Sequence, residues 1–188
     1  METILRRELI HSKEVSRLIG ITFFVLATCF GAFVRIPLPG TPVPFTLQTF
    51  FVLLSGAVLK AYYGSLTQFI YCFLGVIGLP VFSNAGAGFL YLLGPTGGYL
   101  LGFILAAFLV GRGIKSTKTT KEIFFIMVLA DLLILTLGTL WLWSFFKLPI
   151  GKAMISGFLI FLPSDIIKAA CASIVYQRIR KRTDKIFN

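Results

Sequence analysis

The sequence predicts an all-α membrane protein, a bundle of six transmembrane helices with folded outer loops. Three features carry that prediction: pervasive apolarity, continuous apolar runs, and cationic clusters confined to the segments between the runs. Hydrophobic residues make up 57% of the 188 and charged residues 13%, with a mean hydropathy of +0.91. So little polarity could not cover a water-facing surface. A span needs roughly 20 apolar residues to cross a hydrocarbon layer about 30 Å thick, so the length accommodates about six helices with short connections. The whole chain, 1–188, therefore reads as one integral membrane domain with basic cytoplasmic tails at about 1–17 and 178–188.

The apolar runs cover residues 18–34, 45–59, 62–79, 98–110, 123–146 and 153–176. They are continuous rather than alternating, and a lipid-exposed backbone must satisfy its own hydrogen bonds, so helices are expected rather than strands. The net charge of +11 would suggest nucleic acid in a soluble protein, but here its placement points to a membrane. One side of the bundle collects fourteen cations: Arg6, Arg7, Lys13 and Arg17, then Lys60, the four from Arg112 to Lys121, and the five from Arg178 to Lys185. The other side has Arg35, Lys147 and Lys152. By the positive-inside rule both termini are cytoplasmic, and no nucleic-acid partner is expected.

Two outer connections are unlike ordinary linkers. Residues 36–44 read IPLPGTPVP, whose four prolines favour a stiff extended segment. Residues 80–97 read PVFSNAGAGFLYLLGPTG, too apolar to be merely a solvated loop. Both should fold onto something, either each other as a lid or a ligand.

Charges inside the spans are few and therefore informative. Asp165 and Lys168 stand three residues apart on one face of the sixth run. Each costs on the order of 2.5–3.5 kcal/mol near a bilayer centre, so neither should face lipid. They can pair with each other or serve as polar anchors in a cavity, and Asp131 in the fifth run is a competing partner for Lys168. Gln48 and Asn84 offer amides that both donate and accept. Phe45, Tyr91, Tyr99, Trp141 and Trp143 could wall an apolar cavity, although tryptophans at span ends more often mark the interface belt.

Enzyme readings find no support. The one histidine, His11, lies in the charged N-terminal tail, leaving no Ser–His dyad and no HExxH zinc site. Cys29, Cys72 and Cys171 are isolated in apolar text, so no metal site is expected and they read as packing residues. No GxxxxGK[ST] loop is present, so energy for active transport would come from another protein. Ala27 and Gly31, with Gly20 earlier on the first run, form a small-residue strip suited to close helix packing, inside the bundle or against a partner.

The stretches VPFTLQTF, PVFSNAGAG, LLGPTGGYLLGF and FLPSDIIKAA, in this order and covering roughly residues 31–170, resemble the BioY family. These are the biotin-specific S components of energy-coupling-factor importers. The resemblance implies a six-helix subunit of the bacterial cytoplasmic membrane. It would hold biotin near the outer face without a cofactor, and a transmembrane coupling protein and two ATPase subunits would drive release inward. It implies Asn84, Asp165 and Lys168 as polar binding positions, with Gln48, Tyr99 and Phe45 beside them, and the strip at Ala27 and Gly31 as the docking face for the coupling protein. The serine and asparagine of SNAGAG depart from the more glycine-rich text usual in the family. Biotin suits these residues chemically: its ureido ring has two N–H donors and a carbonyl, its arm is apolar, and its carboxylate wants Lys168 or Arg35. An S component for another vitamin, a channel, or a membrane scaffold are the alternatives.

Overall fold

The structure, a computed structural model, describes residues 13–116 and 119–187. The first twelve residues of the expected N-terminal tail, with Arg6, Arg7 and His11, and Lys118 of the central cluster lie outside the described residues. In chain order the elements are α1 (Lys13–Phe33), β1 (Arg35–Ile36), β2 (Phe45–Thr46), α2 (Gln48–Val76), a 3₁₀ turn (Ser83–Ala85), α3 (Phe89–Leu92), α4 (Gly97–Gly113), α5 (Thr120–Phe146), α6 (Ile150–Met154), a π-helical turn (Ile155–Leu159) and α7 (Leu162–Phe187).

Among the described residues four helices are long and apolar enough to cross a membrane: Lys13–Phe33, Gln48–Val76, Thr120–Phe146 and Ile150–Phe187; Gly97–Gly113 is apolar but shorter. The difference from six equal spans arises mainly in α2. Lys60 leaves helical geometry there, with φ 66° and ψ −177°, and the chain doubles back. A Cβ on Gly64 would lie 2.7 Å from the Cα of Gly56, whereas eight residues of unbroken helix would hold them about 12 Å apart. The Gln68 amide also donates to the Ser55 hydroxyl at 2.9 Å. Residues 48–59 and 61–76 are therefore two antiparallel arms, and they follow the second and third apolar runs. Gly111 of α4 packs directly on the backbone of the turn.

Both basic ends are helical where they are described. α1 already runs from Lys13, and α7 carries the C-terminal basic segment through Phe187 as helix. Lys60 ties that segment to the turn, donating to Asp184 at 2.7 Å and to the Tyr176 hydroxyl at 3.2 Å. A capping box starts α5: the Glu122 N–H donates to the Thr119 hydroxyl at 3.3 Å and the Thr119 N–H to the Glu122 carboxylate at 3.5 Å.

The core lies between the α2 arms, α4, α5 and α7, where Leu53, Leu59, Tyr71, Val110, Ile123, Met127, Ile134 and Tyr176 are buried. α1 packs along its flank through Ile21, Phe24, Val25 and Thr28. Its other face leaves Leu18, Ile19, Phe23, Leu26, Phe30 and Phe33 exposed. Large apolar side chains on that outer face are what a lipid environment or a protein partner would cover.

Candidate ligand-binding site

The loops at 34–47 and 77–96 fold over one end of the bundle and enclose two adjoining cavities. The first loop is pinned by the antiparallel pair β1–β2, in which Arg35 faces Thr46 and Ile36 faces Phe45. The second loop is anchored by Phe82, which is buried against Gly75, by the Gly88 N–H to Gly75 carbonyl bond of 2.7 Å, and by Trp141, whose indole N–H donates to the Gly94 carbonyl at 2.8 Å. Trp141 thus turns inward to hold a loop, while Trp143 is exposed as an interface tryptophan would be.

The inner cavity is narrow, about 50 Å³. Leu100 and Phe103 of α4, Ile134 and Leu135 of α5, and Phe82 and Phe161 make it largely apolar. Its polar groups come from the two arms of α2 and from α7. Asp165 is buried and forms an ion pair with Lys168, as their spacing of three on one helical face allows, and Thr49 donates to it at 3.4 Å. Lys168 also donates to the Thr46 carbonyl at 2.9 Å and lies 4.5 Å from the centre of the Phe45 ring. Its charge is therefore neutralised, solvated and capped by an aromatic face without water.

Gln48 is equally committed: its amide donates to the Tyr71 hydroxyl at 2.6 Å and accepts from Thr46 at 3.2 Å, and Tyr71 donates onward to the Val81 carbonyl at 3.1 Å. This chain ties the first arm to the second and to the outer loop. Tyr99 lines the same cavity and donates to the Gly157 carbonyl of the π turn at 2.7 Å. Its ring fills the space that a side chain at position 138 would take, so Gly138 makes its placement possible.

The structure thus joins Gln48, Tyr99, Asp165 and Lys168 at one cavity, with Phe45 reaching it through Lys168. Asn84 is not part of that wall. It lines the outer cavity, exposed and in left-handed backbone geometry (φ 63°), together with Arg35, Leu38, Thr41 and Pro95. Asp131 is not Lys168's partner: it is buried in α5 with one carboxylate oxygen unbonded. Gly31 turns into the bundle, where a Cβ would come within 3.0 Å of the Gln48 backbone. Its close packing is within the chain, while Ala27 is half-buried.

The BioY family model matches residues 5–185. The chain belongs to the BioY family. This BioY chain is 38% identical to the probable biotin transporter BioY of Pyrococcus horikoshii over 92% of its own length and 99% of that protein. It is 41% identical to the biotin transporter BioY of Thermotoga maritima over 88% of its own length and 96% of that protein. Its fold matches a crystal structure of the S-component for biotin from an ECF-type ABC transporter, with a TM-score of 0.84 and 28% identity, covering 89% of this chain and 92% of that one.

Tyr91 of the BioY chain lines these cavities, as its aromatic ring suggested, and four further residues join it: Thr49, Tyr71, Ser83 and Thr96. Ser83, Tyr91 and Thr96 border both. Tyr91 stacks on Phe82 with ring centres 4.7 Å apart and donates to the Ser83 carbonyl at 3.1 Å. Burial raises its phenol pKa above the ordinary value despite the nearby Arg35 cation, which keeps it a donor. The available signal was their position within the recognised motifs, since Thr49, Ser83 and Thr96 sit beside Gln48, Asn84 and the glycines of GPTGG.

Proposed function

We propose that this chain is the biotin-binding subunit of a vitamin importer. The observation that carries the reading is the inner cavity, an apolar chamber with one carboxylate, Asp165, held beside one cation, Lys168. Asp165 can accept a ureido N–H of biotin. Lys168, with three N–H donors and two spoken for, has one left for the ureido carbonyl. Apolar walls suit the thioether ring and arm, Tyr99 among them, and Gln48 and Phe45 hold the polar end in place. Asn84 would meet the ligand from the outer cavity. Kinship with biotin transporters at 38% and 41% identity supports the same substrate.

On this reading the subunit crosses the cytoplasmic membrane six times, with the two arms of α2 counted separately and both termini inside, in keeping with the cation asymmetry. It works without a cofactor or catalytic residue of its own. A transmembrane coupling protein and two ATPase subunits supply the energy, and the exposed apolar face of α1 beside Ala27 is the surface offered to the coupling protein. The test is labelled biotin added to the purified chain and to right-side-out and inverted membrane vesicles. Saturable binding by the purified chain and from the outer face alone is expected. Tight binding of a different vitamin without binding of biotin would overturn the substrate, and binding from the inverted vesicles alone would overturn the orientation.

A further inference from the structure

The outer cavity, about 450 Å³, adjoins the inner one. The two share Pro44, Ser83, Tyr91 and Thr96, so only side chains of the two loops divide them. At this shared wall the hydroxyl of Ser83, a residue 6% exposed, is buried with no hydrogen-bond partner, and the Thr96 hydroxyl has the Tyr91 phenol beside it. Buried hydroxyls are normally bonded, so a bare one facing a cavity marks the path of a polar ligand group.

Two cations line these cavities. Lys168 is committed to Asp165 and Thr46. Arg35 stands across the strand pair from Thr46, lines the outer cavity, and forms no ion pair among the described residues. Of the two, its charge is the one not offset among the described residues. A guanidinium also matches a carboxylate with two parallel N–H donors.

We infer that the two cavities form one bipolar site, in which a ligand sets its polar ring at Asp165, threads an apolar arm past the Tyr91–Phe82 stack, and delivers an anionic carboxylate to Arg35. The inference rests on the biotin reading above and adds to it the residue that recognises the acid end. Arg35 thereby becomes a specificity determinant for the free acid over its neutral derivatives, and Lys168 belongs to the ring end alone.

The experiment compares equilibrium binding of biotin and biotin methyl ester to the purified chain, its Arg35→Gln variant and its Arg35→Lys variant, at low and high salt. Because Arg35 is exposed, Arg35→Gln should weaken the acid by about threefold to tenfold and leave the ester unchanged. Salt should weaken the acid only where position 35 is charged, and Arg35→Lys should keep part of the preference. The ester serves as the measure of folding. Equal losses for acid and ester, or no loss of acid, overturn the inference. A parent chain that binds neither compound overturns the biotin reading itself, so the two failures are distinct.

Discussion

At the inner cavity Asp165 takes Lys168 and the Thr49 hydroxyl, Lys168 also holds the Thr46 carbonyl, and Gln48 is tied to Tyr71. At the outer cavity Arg35 has no ion pair among the described residues, and Ser83 keeps a bare hydroxyl. The difference follows from what surrounds each. Polar groups in a low-dielectric interior must be satisfied by the protein whether or not a ligand is bound, since an unpaired buried charge is costly. Arg35, which is exposed, can wait for water or ligand, and the Ser83 hydroxyl, buried at the mouth, waits for a ligand. The inner network is thus preorganised and the outer one is completed on binding, so ordering costs are concentrated at the mouth.

The largest effect that could break this comparison comes from the inner pair. Lys168→Met leaves Asp165 buried without its cation and should cost about 3–5 kcal/mol in stability, read by thermal unfolding in detergent. The double variant Asp165→Asn with Lys168→Met should recover most of that stability while biotin binding stays lost. Recovery of both would reduce the pair to a neutralising contact and remove Asp165 from the site.

An intermediate effect separates the two small residues of α1. Gly31→Leu forces a side chain against the Gln48 backbone and should cost about 1–3 kcal/mol by overpacking, with biotin affinity falling as Gln48 moves. Ala27→Leu, on a half-buried position, should leave binding intact and reduce ATP-driven uptake by the assembled importer. Parallel loss of binding and uptake in the Ala27 variant would assign that face to the bundle.

The smallest effect sharpens the outer half. Ser83→Ala removes a buried hydroxyl that lacks a partner, so unfolding of the ligand-free chain should be unchanged or stabilised by up to about 1 kcal/mol, while biotin affinity falls less than tenfold. A destabilised variant with unaltered binding would mean that Ser83 serves the fold and not the ligand.

Much of this was legible in the sequence because membrane helices obey a strong rule. Apolar runs mark helices, and the interruption at Lys60 between 45–59 and 62–79 is where α2 reverses. Asp165 and Lys168 stood out because charges in spans are rare, and their spacing of three fixed a shared face. What the sequence could not show is which distant segments meet. Tyr71 joins the site across 23 residues through Gln48, and a tyrosine in apolar text looks like packing. Ser83 and Thr96 look like loop polarity until both are found buried at one wall. Gly31 and Ala27 share a spacing that fits packing inside or outside, and only the neighbouring Gln48 backbone separates them.

The reversal at Lys60 also sets the depth of the site, and depth has an electrical meaning. Residues 48–59 rise about 18 Å at 1.5 Å per residue, against a hydrocarbon layer about 30 Å thick. In the proposed orientation Lys60, tied to Asp184, lies at the cytoplasmic end, which puts Gln48 and the groups around it about 12 Å below the outer boundary. An anion carried that far would cross roughly 40% of the membrane potential, at a cost on the order of 1 kcal/mol for each 100 mV, inside negative. A neutral ureido ring crosses the same field without that cost. A site that draws in the uncharged ring and stops the carboxylate at the mouth therefore binds with nearly the same affinity whether the cell is energised or depolarised.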